Sequence, residues 1–570
     1  MRKYVDRYWK GFSLAIICLT VEALCDLMQP TIMSSIVDVG VAYRDINYIV
    51  KKGLVMLGIT AVGAIGASGR NILSGTVSQN FSADLREDLF RKVQSFSFKS
   101  IDKFERSSLI TRLTNDVTQI QNFVNSLMRI AVKAPILCVG SIIMASRLNL
   151  RLSVIIFIAI SVVGVLIFLN MHIGYPYFMR VQQALDKVNS VMREYLSGVR
   201  VVKAFNRSDY ENKRFEGFNE ELGNLSTRAM QVMSIFSPGI NFAINAGIVS
   251  VLWIGGIYVS RGTMKVGQII AFTNYMTQIL YSIMIISSVF NTFVKSKASA
   301  SRISEVFEEE NSSSPGGSGL GLDKIGEIRF ENVSFAYDDN HRVVQNVSFT
   351  CTPGETLGII GSTGSGKSTL VSLIPRFYDP TCGTIRIDGL DIRYMDKKVL
   401  RDKIALVPQK TLLFTGSILE NIKWGDENAS LEEIEEAARA AEADGFISEF
   451  PEKYDTKLGQ GGVNLSGGQK QRISIARALV KKPELLILDD CTSAVDASTE
   501  SRIRKKLGKY SDHLTCIVIA QKIASVMSAD RIIVMENGKL AGMGKHRELM
   551  KDCQVYRDIF LSQVGRRGKS

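Results

Sequence analysis

TLGIIGSTGSGKSTLVSLI, Thr356 to Ile374, is an apolar run, then a loop of small residues ending in lysine, then a second apolar run at helical spacing. Its centre, GSTGSGKS (Gly361 to Ser368), fits G-x-x-x-x-G-K-[ST] and stands where that pattern must stand, after a strand and before a helix. Gly364 and Gly366 let backbone N–H groups wrap phosphates, so Gly361, Ser362, Thr363, Gly364, Ser365, Gly366 and Thr369 are the expected nucleotide cradle. Lys367 is expected to reach the β and γ phosphates, and Ser368 to ligate Mg2+. Around this stretch, short β-branched runs alternate with helical patterns, which predicts an α/β domain over residues 325–570.

The residues before it are of another kind. The chain has 570 residues, 46% of them hydrophobic and 22% charged, a mixture that suggests a greasy part joined to a charged part. Six runs are long and apolar enough to span a bilayer, centred on residues 11–30, 50–69, 128–146, 152–170, 235–259 and 266–293. The second, rich in glycine and alanine, is the weakest. Residues 1–307 therefore read as an all-α membrane domain of six helices, and the Ser- and Gly-rich 308–324 as a linker. No cleavable signal peptide is evident.

The net charge of +13 points to nucleic acid or to basic cytoplasmic loops. Arg2, Lys3, Arg7 and Lys10, with the basic segments 70–133 and 180–228, fit the second reading. They put both termini and both long segments in the cytoplasm, in a multi-pass protein of the cell inner (plasma) membrane. SADLREDLFRKVQSF (82–96) has helical periodicity, so the membrane helices should continue into the cytoplasm. Tyr4, Tyr8 and Trp9 suit a short interfacial helix or an aromatic belt. The eight cysteines are scattered without C-x-x-C spacing, which indicates neither a zinc site nor a disulfide scaffold.

LSGGQKQR, Leu465 to Arg472, narrows the reading. With it the chain resembles the ATP-binding-cassette (ABC) family, and nearly the whole chain resembles a type IV half-transporter: one membrane domain, then one cassette. SLITRLTNDVTQIQ (108–121) and SGVRVVKAFNR (197–207) look like cytoplasmic segments of such exporters, with coupling expected near Asn115 and Lys203. The resemblance implies ATP and Mg2+ as ligands. It makes Tyr337 the aromatic that stacks on adenine, Gln409 the magnesium-sensing glutamine and Asp489 a metal ligand. Tyr337 as a core aromatic and Gln409 as a solvated loop residue are the plainer readings. Ser466, Gly467, Gly468 and Gln469 would face the ATP of a second chain, since ATP lies between one cassette's phosphate loop and another's signature. Simple helix capping is the rival for that motif.

Two positions depart from the family. LLILDDCTSAVD (485–496) carries Asp490 where a catalytic glutamate is usual, and IVIAQKIASV (517–526) carries Gln521 where the switch histidine is usual. Asp490 is one carbon short, and a displacement of about 1 Å can cost on the order of a hundredfold in rate. Glutamine cannot take up a proton. Both departures imply a site that binds ATP well and hydrolyses it poorly, so competent turnover needs a partner, and a heterodimer with a second half-transporter follows.

The expected cargo is a lipophilic small molecule, with membrane lipid as a partner and no nucleic acid. Glu22, Asp26 and Gln29 share a face of the first span, either drawing cationic amphiphiles or pairing with basic residues. Asn241 and Asn245, then Asn274 and Gln278, form i, i+4 pairs that helix–helix hydrogen bonding explains as well. An ATP-gated regulatory or channel-like protein and a slow homodimeric exporter are the rivals. Six apolar spans argue against a soluble DNA-repair ATPase.

Overall fold

The computed structural model describes residues 2–309, 327–338, 341–510 and 514–564. The chain forms two compact units, one of Met1–Gln94 with Arg106–Glu309, the other of Ser95–Glu105 with Glu310–Ser570. The expected linker lies outside the described residues from Glu310 onward; Glu308 ends a helix.

The first unit holds six helices long and apolar enough to cross a membrane: Lys3–Val41, Ile46–Gln94, Arg106–Leu148, Leu150–Ala204, Ser208–Ser260 and Val266–Glu308. At about 1.5 Å per residue, the 49 residues of the second reach well beyond a hydrocarbon core of about 30 Å. The first helix is continuous from Arg2, so no separate interfacial helix forms. Tyr4 and Tyr8 instead donate to Asp88 and Asp84 of the second helix, each at 2.8 Å. The third is interrupted by two π-helical turns, Arg112–Asp116 and Leu127–Ala131.

Buried polar contacts tie these helices together. Pro30 has no N–H for the carbonyl of Asp26, four residues earlier. Gln278 Nε2 of the sixth helix donates to that carbonyl at 3.4 Å, and Ser141 Oγ of the third donates to Gln278 Oε1. Tyr275, fully buried, donates to Leu27 O at 2.7 Å and lies 2.7 Å from Thr31 Oγ1. The proline break is therefore mended by the sixth helix. Among the described residues, Asn245 bonds only within its own helix, to Asn241 O. Further along, the buried carboxylate of Asp116 accepts from Ser299 Oγ and from the Arg302 guanidinium, while Arg112 pairs with Glu305.

The acidic face of the first helix finds basic partners. Lys133 Nζ sits 2.6 Å from Glu22 Oε1 and 2.8 Å from Asp26 Oδ2, and Arg70 Nε sits 3.1 Å from Glu22 Oε2. Of the two readings of that face, ion pairing is the one realised.

The second unit is α/β. An antiparallel sheet contains β1 (Ile328–Ala336), β2 (Arg342–Cys351), β4 (Cys382–Ile387) and β5 (Leu390–Asp391), in the order β2-β1-β4-β5. The larger sheet has β3 (Thr356–Gly361), β6 (Ile404–Val407), β9 (Leu485–Asp489), β10 (Thr515–Ile519), β11 (Arg531–Glu536) and β12 (Lys539–Gly544), in the order β12-β11-β3-β10-β9-β6. The short β7 (Gly416–Ser417) and β8 (Lys457–Leu458) pair apart. In the larger sheet all strands but the edge strand β12 run parallel. Its central strands are buried on both faces, as their unbroken apolar sequences require.

Tyr275→Phe removes the hydroxyl that bonds Leu27 O and Thr31 Oγ1 across two helices. Loss of such a bond costs about 0.5–1.5 kcal/mol, so this variant should melt below wild type in detergent. Tyr281→Phe, at an exposed ring, should not move the midpoint.

Candidate functional site

Three loops meet where the parallel strands end. β10 lies between β3 and β9, with Ile519 opposite both Ile359 and Asp489. The loop after β3, the acids after β9 and the segment after β10 thus emerge side by side at one edge, the usual ligand crevice of such a sheet.

The loop after β3 is set by two glycines. Gly364 and Gly366 have φ of +82° and +91°, and a Cβ on Gly366 would lie 2.6 Å from Val343 O. Ser362 and Thr363 are exposed; Ser365 and Thr369 are buried. Lys367 is buried and folds over the loop, donating to Gly361 O at 2.9 Å and to Ser362 O at 2.7 Å. Burial lowers its pKa, opposed by the charges of Asp489 and Asp490. Ser368 Oγ donates to Asp489 Oδ1 at 2.9 Å, so the two expected metal ligands converge.

Burial pushes both Asp489 and Asp490 up from the ordinary carboxylate range. Asp490 has φ of +47°, a left-handed conformation that Asp tolerates better than most residues. Its carboxylate accepts from Gln409 Nε2 at 3.3 Å, and the backbone N–H of Gln521 beside it opposes the upward shift. Gln409 is an exposed loop residue with that one bond to Asp490. The Gln521 side chain is exposed and has no hydrogen-bond partner among the described residues; the backbone carbonyl of Gln521 accepts from Gln563 Nε2 at 2.8 Å. His513 lies outside the described residues.

Tyr337 follows β1 with its ring 49% exposed, which excludes a core aromatic. It packs edge-to-face on Phe335 and Tyr378, and its hydroxyl reaches Thr369 Oγ1 at 3.2 Å. That contact sets the open ring beside the phosphate loop.

The signature opens the helix Gly467–Val480. Ser466 Oγ accepts from Gln469 N at 3.3 Å, and Gln469 Oε1 accepts from Ser466 N at 2.9 Å, a reciprocal cap. Capping is thus realised, but it leaves the exposed Ser466 hydroxyl proton and the N–H groups of Gly467 and Gly468 to donate to an anion.

Two features escaped the sequence reading. Gln471, inside the quoted motif, is buried and accepts from Ala494 N at 3.0 Å, and a Cβ on Gly468 would lie 2.9 Å from Ala494 O. The signature helix is thereby seated on the loop that follows Asp490. The other is the helix Phe98–Lys103, which belongs to the second unit: the Phe98 ring lies 4.5 Å from that of Phe377, and Asp102 accepts from Tyr378 OH at 2.6 Å. Asn115 and Lys203 are exposed residues of the first unit. Aromatic residues at 377 and 378 were the available signal, but nothing local in sequence links them to residue 98.

The residues fit a Mg2+-nucleotide. A hydroxyl and one carboxylate are hard oxygen donors, and Mg2+ takes its other ligands from phosphate and water. Among the described residues no cluster of three His, Cys, Asp or Glu could hold a metal unaided. The thiols are spectators: burial pushes Cys351 and Cys516 up to about 12.

Comparison with known proteins shows the family and the fold. The family described as ABC transporter transmembrane region matches residues 12–283, and that described as ABC transporter matches residues 344–493. An uncharacterized ABC transporter ATP-binding protein, YfiB of Bacillus subtilis, is 40% identical over 98% of this chain and 97% of its own length. An ATP-dependent lipid A-core flippase of Syntrophus aciditrophicus is 32% identical over 95% of this chain and 90% of its own. The structure of a bacterial Atm1-family ABC exporter with ATP bound superposes with a TM-score of 0.81 at 24% identity, over 98% of both chains, which shows the fold.

Gly366→Ala places a side chain where both φ and Val343 O exclude one. Strain of about 1–3 kcal/mol corresponds to a loss of ATP affinity of roughly tenfold to a hundredfold. Titration with a fluorescent nucleotide checks this, with Gly223→Ala, where a Cβ meets open space, expected to bind as wild type.

Proposed function

The chain belongs to the ABC transporter family, and from that premise we propose that it is one subunit of an ATP-driven exporter whose own hydrolytic site is weak. The protein is an ATP-binding membrane protein with six spans and an α/β cassette. Its cassette and both termini lie in the cytoplasm, following the basic segments. Its cargo is lipophilic or amphiphilic, a reading supported by the name of the flippase relative.

Each residue then has a task. Tyr337 offers its open ring to adenine. The loop 361–366 surrounds the phosphates, and Lys367 swings from its carbonyl partners to the β and γ oxygens. Ser368 and Asp489 would hold Mg2+, which would supply neutralisation of phosphate charge, and Gln409 stands beside them at Asp490. Ser466, Gly467, Gly468 and Gln469 donate to the γ-phosphate bound by a second chain.

One observation carries the asymmetric part of this reading. The carboxylate of Asp490 takes the Gln409 side chain as its hydrogen-bond partner, with the Gln521 backbone N–H beside it. An aspartate tied back in this way lacks the reach to align a water, and Gln521 cannot take up a proton beside it. Positioned general-base catalysis is worth about 10²–10⁴ in rate, so this site should retain ATP for many turnovers of the other. The competent site would combine the partner's phosphate loop and glutamate with this chain's signature, in a heterodimer.

ATP turnover in lipid should be negligible for this chain alone and brisk when it is co-purified with a second half-transporter. Asp490→Glu combined with Gln521→His should raise turnover of the chain alone by at least about tenfold. Brisk turnover by the unaltered chain alone would identify a self-sufficient homodimer. A partner that also lacks the glutamate and histidine would remove the asymmetry.

A further inference from the structure

A cavity of about 430 Å³ lies inside the first unit, lined by residues of the first, second, third and sixth helices. Four of its lining residues are charged: Glu22, Arg70, Arg129 and Lys133. Glu22 and Arg70 are 7% and 8% exposed, and although they stand at ion-pair distance, Glu22 Oε2 and Arg70 Nε make no aligned hydrogen bond. Buried polar atoms in that condition need a further partner.

The charges do not cancel. Glu22 is shared by Lys133 and Arg70, and Asp26 is taken by Lys133. Arg70 also donates to the Arg129 backbone carbonyl. The Arg129 guanidinium is exposed and has no carboxylate among the described residues. Three cations thus face two anions, leaving one positive charge over. Leu137, Ile285 and Val289 are apolar parts of the lining, interspersed with Ser282, Ser288 and Thr292. Depth agrees with this division: Arg70 follows Lys52 by 18 residues, about 27 Å of helix, near the far edge of a hydrocarbon core of about 30 Å. Cationic side chains there stand at headgroup level.

We propose that this cavity binds an amphiphile with an anionic headgroup, a phosphate or carboxylate, which Arg129 engages with Lys133 and Arg70 behind it while the apolar parts of the lining take the chain. This deepens the exporter reading, on which it rests as to cargo, and it reverses the sign of cargo that the acidic face suggested in sequence.

The test uses the full chain, with its partner subunit if it has one, in phosphatidylcholine nanodiscs. Dodecyl phosphate, dodecyltrimethylammonium and inorganic phosphate are titrated and binding is read directly. Dodecyl phosphate should bind at least about tenfold tighter than either other probe, as expected for charge-assisted hydrogen bonds. Arg129→Gln should lose that preference and Arg129→Lys should keep most of it; neither breaks an ion pair, so both should fold. Equal binding of the two dodecyl probes, or an unchanged preference in Arg129→Gln, overturns the proposal. Inorganic phosphate binding as tightly as dodecyl phosphate overturns the amphiphile and leaves a free-anion site. Binding is read without ATP, so transport of amphiphiles with no charge preference would sink this inference alone. Selective binding with no ATP-driven transport would sink the exporter reading alone.

Discussion

The site depends on the register of three parallel strands. β10 runs between β3 and β9, and its last residue faces both Ile359 and Asp489. A slip of one residue would turn every side chain of the strand to the opposite face, and Asp489 would no longer meet Ser368. The strands hold this register because they are buried on both faces. Their backbone groups have no water to bond, so ladder hydrogen bonds must be complete.

From that edge the charges are arranged in opposition. Lys367 is disfavoured as a cation by its burial, and Asp489 and Asp490 are disfavoured as anions by theirs. Each relieves the other in part. A polyphosphate with its divalent ion supplies to the lysine the negative charge, and to the acids the positive charge, that the folded chain does not. Selectivity for such a ligand follows from desolvation as much as from the loop's shape.

The membrane unit meets the same constraint with other means. Where a proline leaves a carbonyl bare, a side chain of a neighbouring helix reaches it; where carboxylates are buried, guanidinium and ammonium groups reach them. Polar groups buried among packed helices need such partners in place of water. Only Arg129, of the charged groups lining the cavity, keeps an uncommitted charge, and the position of that surplus is what gives the cavity a sign.

Much of this was legible in sequence because it is local. Glycine spacing before Lys367, six apolar runs and the capping pattern of Ser466 and Gln469 act within a few residues of themselves, through backbone freedom, transfer from water and helix geometry. The roles of the signature, Tyr337 and Gln409 rest on resemblance. What the sequence left open were contacts between residues distant along the chain. Glu22 could not be told from a cargo site until Lys133 and Arg70 were found beside it, 111 and 48 positions away. The tether on Asp490 needed Gln409 and Gln521 brought beside it by β6 and β10, and residues 98 and 377 lie far apart along the chain yet meet within the second unit. Local propensity acts through neighbours in sequence, whereas charge pairing and packing act through neighbours in space, and folding alone decides which residues those are.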